Sequence, residues 1–106
     1  MSKEKGPDNK IIRELILESG LEAASKVDGI FKVLDVRADS DSDSKTVELK
    51  IYIEVIYGYK IPAVSWDVQN AVRTAVKNAT GYKADKIDIH IQGVSRKPKG
   101  AGKDRK

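Results

Sequence analysis

Apolar and polar residues alternate most regularly between Thr46 and Tyr57. Val47, Leu49, Ile51, Ile53 and Val55 point one way, and Glu48, Lys50, Tyr52 and Glu54 point the other. A period of two over that length predicts a strand with one buried face. A second such run, Ile87, Ile89 and Ile91 with Asp88, His90 and Gln92 between them, predicts a strand over 85–93. Between these runs the period lengthens. Ile61, Val64, Val68, Ala71, Val72, Ala75, Val76 and Ala79 recur at helical spacing. Pro62 suits the first turn of that helix, where its missing N–H costs nothing, and Thr80-Gly81 stops it. Upstream, Ile12, Leu15, Ile16, Ala23 and Val27, widened by Leu17, Leu21 and Ala24, predict a helix over 9–26. Asp8 or Asn9 would cap it, and Asp28-Gly29 would end it. Gly20 costs this helix about 1 kcal/mol against Ala and marks a place for a kink. Residues 31–38 read as a strand with Val33, Leu34 and Val36 as core candidates, and their imperfect alternation points to a bulge. The segment ADSDSDSK, 38–45, reads as the turn of an antiparallel hairpin.

The order is therefore α-β-β-α-β. It predicts a two-layer α+β fold, a three-stranded sheet with both helices packed on one face. The crossover from the second strand to the third is expected to be right-handed. Periodicity leaves open whether the third strand pairs with the first or the second. At 106 residues the chain makes one domain, expected over 9–94. Residues 1–8 are expected to be a disordered tail and 95–106 a flexible basic one. No cysteine is present, which excludes disulfides, thiolate zinc sites and thiol catalysis. No apolar run approaches the roughly 18 residues of a membrane span, and MSKEKGPDNK is not a secretory leader. The expected location is the cytoplasm.

Charge changes this picture only at one end. Of the net +4, residues 95–106 hold +5 through Arg96, Lys97, Lys99, Lys103, Arg105 and Lys106 against Asp104. Residues 1–10 hold +1, which leaves −2 for 11–94. A dedicated nucleic-acid face would make the folded part basic, and here that part is mildly acidic. The tail could neutralise phosphates of nucleic acid or anionic lipid, although a solubilising terminus is its default role.

Candidate chemistry is sparse. Asp39, Asp41 and Asp43 start like a calcium loop, but the sixth and twelfth positions are Ser44 and Lys50 instead of Gly and Glu; a solvated hairpin tip is the better reading. His90 is the sole histidine and reads as a surface residue on the open sheet face. Glu48, Glu54 and Asp88 share that face with Lys50, so charge balance explains them better than acid–base catalysis. No glycine pair fits a phosphate loop. No metal or cofactor is expected. Trp66 stands out because it projects about 155° from the Val64-Val68-Val72 stripe at 100° per residue. That places it on the outer face near Asn70, Arg73 and Lys77. Such a face suits a partner protein, a membrane surface or a stacked base; the plainer alternative is sideways packing on the first helix. Tyr57 and Tyr59, flanking Gly58, extend the candidate surface.

These pieces, taken in order, resemble the alkaline shock protein, or envelope stress response, family of Gram-positive bacteria. The resemblance rests on Tyr57-Gly58, Ile61-Pro62, Val68-Gln69 through Val72, Thr80-Gly81 and the strand Ile87 to Val94, with AASKVDGI upstream. It covers about 11–94. It implies a cytoplasmic, non-enzymatic protein of the envelope or general stress response, with no catalytic residues or cofactor. The family works through protein partners, some membrane-anchored, or through self-association. Trp66, the acidic hairpin and the basic tail depart from the family pattern. The alternative is a KH-like RNA-binding module aided by the tail. Against it, the chain lacks the Gly-x-x-Gly turn that brings backbone to phosphates.

Overall fold

All five predicted elements form, with several boundaries moved. The computed structural model describes residues 5–96, and their side chains from Lys10 onward. Helix α1 spans Lys5–Ser25, β1 Ile30–Asp41, β2 Thr46–Ile56, α2 Ile61–Thr80 and β3 Lys83–Ser95. The helix thus starts at Lys5 and takes in residues expected to belong to a disordered tail. Pro7, in its first turn, sits where no N–H is needed. Residues 1–4 and 97–106, the rest of the two expected tails, lie outside the described residues.

The sheet order is β1-β2-β3. Strand β1 runs antiparallel to β2 and β3 runs parallel to it, which settles the open choice: β3 pairs with β2. Strand β1 reaches further than its composition suggests. Asp39, Ser40 and Asp41 pair with Glu48, Val47 and Thr46, so the turn shrinks to residues 42–45. The Asp43 N–H donates to Asp41 Oδ1 at 2.9 Å, and Lys45 takes a φ of 57°. The expected bulge is present, with register shifts between Ile30 and Lys32 and between Val33 and Asp35. It turns Leu34 outward, 44% exposed, against the expectation of a core residue; Ile30 and Ala38 are buried instead.

Helix-facing rows cross the sheet as Val36–Ile51–Ile89 and Ala38–Leu49–Ile87. Above them Val64, Val68, Val72 and Val76 form the buried stripe of α2, whereas Ile61 and Ala79 at its ends are exposed. Helix α1 runs unbroken through Gly20. That glycine is buried, and a methyl group there would lie 3.7 Å from Val72 Cγ1 and 3.8 Å from Val36 Cγ1. An alanine would therefore fit here at ordinary contact distance, and the helix passes Gly20 without a kink. The buried stripe of α1 is narrower than predicted. Ile16, Gly20 and Ala24 are inside, and Leu15 and Leu21 are exposed at its margins. Tyr82, just before β3, and Ala84 within it are buried additions to the core.

Candidate functional site

The candidate residues fall into two groups. On α2, spacings of four, three and four place Trp66, Asn70, Arg73 and Lys77 on one outer ridge. Trp66 is 63% exposed, Lys77 is exposed and Asn70 half-buried. The Arg73 Nη1–H donates to Asn70 Oδ1 at 3.3 Å, which holds the guanidinium along the ridge. The ridge offers apolar area at Trp66 and charge at Arg73 and Lys77, about two and three helical turns further on.

The second group lies where β2 ends and α2 begins. The Tyr57 N–H donates to Ser95 O at 2.6 Å, and the Tyr59 N–H to Ile56 O at 3.2 Å. The Arg96 guanidinium lies 4.3 Å from the centre of the Tyr57 ring, a cation–π contact. The first cation of the basic tail is thus held against Tyr57. The tail's Lys97, Lys99, Lys103, Arg105 and Lys106 lie outside the described residues. Both tyrosines are exposed, though one edge of Tyr59 covers Gly29.

The open sheet face differs from expectation at His90. In place of a plain surface histidine there is a cross-strand stack. His90 and Tyr52 are register partners, and their rings lie 4.6 Å apart at 13°. Arg37 of β1 sits 5.3 Å from the centre of the Tyr52 ring. The His90 Nε2 is buried and has no hydrogen-bond partner among the described residues. The Arg37 pKa is raised above its ordinary value, chiefly by the hydrogen bond to Asp35 and further by charge interaction with Tyr52 and Asp35. Around this stack, register pairs Glu48 with Lys86, Lys50 with Asp88 and Lys32 with Glu54, whereas Arg37 faces Lys50 and Asp39 faces Glu48 across β1 and β2. The stack therefore works as a clamp between three strands. A double-mutant cycle on Tyr52→Ala and His90→Ala is expected to give a coupling of about 0.5–1 kcal/mol in denaturant unfolding; additive losses would remove the clamp.

Among the described residues, the main hollow is an open trough between the start of α1 and the hairpin, lined by Lys10, Arg13, Asp39, Asp41 and Glu48. Asp39 and Glu48 are cross-strand partners there, with two cations close by, and His90 lies elsewhere. One motif residue acquires a clear role. The Gln69 Nε2–H donates to Ile87 O at 3.0 Å, tying α2 to the outer strand β3. The sequence pattern showed the Val-Gln-x-x-Val run but not what the amide reaches, because that depends on where β3 lies.

The fold and its surface define a small two-layer α+β domain. Its architecture is similar to solved structures of the MamM CTD, which align with a TM-score of 0.54 at 19% identity over 76% of this chain and 93% of that domain. A sequence profile for the alkaline shock protein 23 family, described as having a cell envelope-related function, matches residues 34–96, and the chain belongs to that family. Two relatives come from Bacillus subtilis. The uncharacterized protein YloU is 28% identical over 78 residues, which is 74% of this chain and 62% of YloU. The uncharacterized protein YqhY is 34% identical over 59 residues, 56% of this chain and 42% of YqhY. The matches span less than two thirds of either relative. Among the described residues no helix is long and apolar enough to cross a membrane.

Proposed function

We propose that this protein is a non-enzymatic interaction module of the cell-envelope stress response in a Gram-positive cytoplasm, acting through a protein partner or through copies of itself. The observation that carries this reading is the α2 ridge. Trp66, at 63% exposure, stands in line with Asn70, Arg73 and Lys77 on the face turned away from the core. An exposed tryptophan on the same ridge as an arginine is the composition of an interface, where aromatic and arginine side chains dominate binding energy. Family membership supports the envelope connection. A non-catalytic role is supported by the open face, where Glu48, Glu54 and Asp88 occupy different register positions and His90 stacks on Tyr52.

The test is affinity capture from host cells with the original chain and with Trp66→Ala. A hot-spot tryptophan is worth about 2 kcal/mol or more, so the variant is expected to retain less than about a tenth of the captured partner. Its thermal midpoint should shift by no more than about 3 °C, as for a surface substitution. A large loss of stability would instead make Trp66 a packing residue, and unchanged capture would remove the ridge from the interface.

A further inference from the structure

We propose that the end of the molecule formed by Tyr57, Tyr59, Ile61, Val94 and Arg96 docks directly on an anionic lipid surface. This goes beyond partner binding through α2, because it gives the domain its own contact with a membrane.

Four exposed apolar or aromatic side chains converge at this end. Tyr57 is 59% exposed, Tyr59 48%, Ile61 39% and Val94 52%. Backbone bonds show that they share one end of the fold. Tyr57 bonds Ser95, Tyr59 bonds Ile56, and Ile56 bonds Gly29; Val94 is the register partner of Val55. Hydrophobic side chains left in water here gain only where something apolar covers them. Tyrosines mixed with aliphatic residues are also the composition that settles at a membrane–water interface, ring in the apolar layer and hydroxyl among headgroups.

Charge selects the occupant. Strand β3 ends at this same place, and the ten residues that follow Arg96 carry five more cations against Asp104. Arg96 itself is held on the Tyr57 ring, which puts a cation inside the apolar patch. An anionic bilayer complements both properties of this end: headgroups take the cations and the acyl boundary takes the apolar side chains. Nucleic acid would take the cations only. Ile61 and Val94, exposed at the same end, offer nothing to a base and gain only from an apolar layer.

The test is sedimentation of the 106-residue chain with phosphatidylcholine vesicles and with vesicles containing phosphatidylglycerol. Binding is expected to be at least about tenfold stronger with the anionic lipid at about 0.1 M salt, and to fall at least about tenfold at about 0.5 M. A chain ended after Arg96 is expected to lose about tenfold or more. Tyr57→Ala is expected to lose about threefold or more with its salt dependence kept, because it removes apolar contact and not charge. Should Tyr57→Ala lose its thermal transition, Val94→Ser at the same end carries the same expectation. Equal binding to both vesicles would overturn the proposal. So would full retention in Tyr57→Ala or Val94→Ser, or binding to an RNA oligonucleotide or an acidic protein with none to the anionic vesicles. Failure here leaves the partner reading standing, since that rests on capture by Trp66; loss of capture leaves vesicle binding untouched.

Discussion

Gly29→Ala is expected to destabilise the domain by about 3 kcal/mol, from two costs that act together. Gly29 has a φ of 93°, in the left-handed region where a side chain costs about 1–2 kcal/mol. It is also crowded: a methyl group there would lie 2.7 Å from Val64 Cγ2 and 2.8 Å from Tyr59 Cδ2. Overpacking of that kind costs about 1–3 kcal/mol. The backbone cannot swing away cheaply, because Gly29 O accepts the Ile56 N–H at 2.8 Å. A thermal midpoint lowered by more than about 10 °C is the expected reading. Three other glycines separate the two costs. At Gly58 and Gly81 φ is also positive but nothing lies within 4 Å of an added methyl group, so Ala there should cost about 1–2 kcal/mol. At Gly20 the methyl would land at ordinary contact distance in a helix, and Ala should stabilise by about 0.5–1 kcal/mol. Equal losses at Gly29 and Gly58 would show that backbone strain alone is at work.

The same glycines mark where sequence reasoning succeeds and where it stops. Gly29 was legible as a helix stop, because a positive φ after a helical pattern is a local property. Its packing against Val64 and Tyr59 was not, because those neighbours arrive from about thirty residues away along the chain. Gly20 reads as a weak point from its local helix cost, whereas its burial beside Val72 and Val36 is set by the tertiary fold. Strand β2 was legible in full because its buried face is covered along its whole length. Strand β1 was cut short at Ala38, since pairing with β2 and not composition extends it through Asp39 and Asp41. Leu34 was assigned inward because a bulge moves the phase of every residue around it, and apolarity alone cannot say which residue is left over.

The candidate surface divides along the same line. The exposure of Trp66 follows from helical arithmetic on its own element, and the ridge with Asn70, Arg73 and Lys77 is local too. The Tyr52–His90 stack and the Arg96–Tyr57 contact join different strands. They require the register of β2 on β3, which the alternating pattern leaves free. Parallel pairing puts the end of β3 beside the end of β2, and only then do Val94, Tyr57 and the start of the tail become one surface.

Ile51→Ala is expected to cost about 3–4 kcal/mol, within the range for truncating a fully buried isoleucine. Ile51 is 0% exposed. It sits in the middle strand between Val36 and Ile89, with its side chain under the helix layer, so no edge can close around the vacated space. A domain of this size holds about 5–15 kcal/mol in total, and one such change removes a large share of it. Ile91, the register partner of Ile53 and half-buried on the outer strand, should lose less, about 1–2 kcal/mol. Lys50, one residue from Ile51 but on the open face, should change stability by less than about 0.5 kcal/mol on replacement by Ala. Denaturant midpoints at constant slope give all three values. The gradient matters for function: with stability concentrated on the helix-facing side of the sheet, substitutions at Trp66, Tyr57 and Val94 can be read as losses of binding by a folded domain. Equal losses for Ile51→Ala and Lys50→Ala would mean that the two faces of the sheet are equally covered, and would undo that separation.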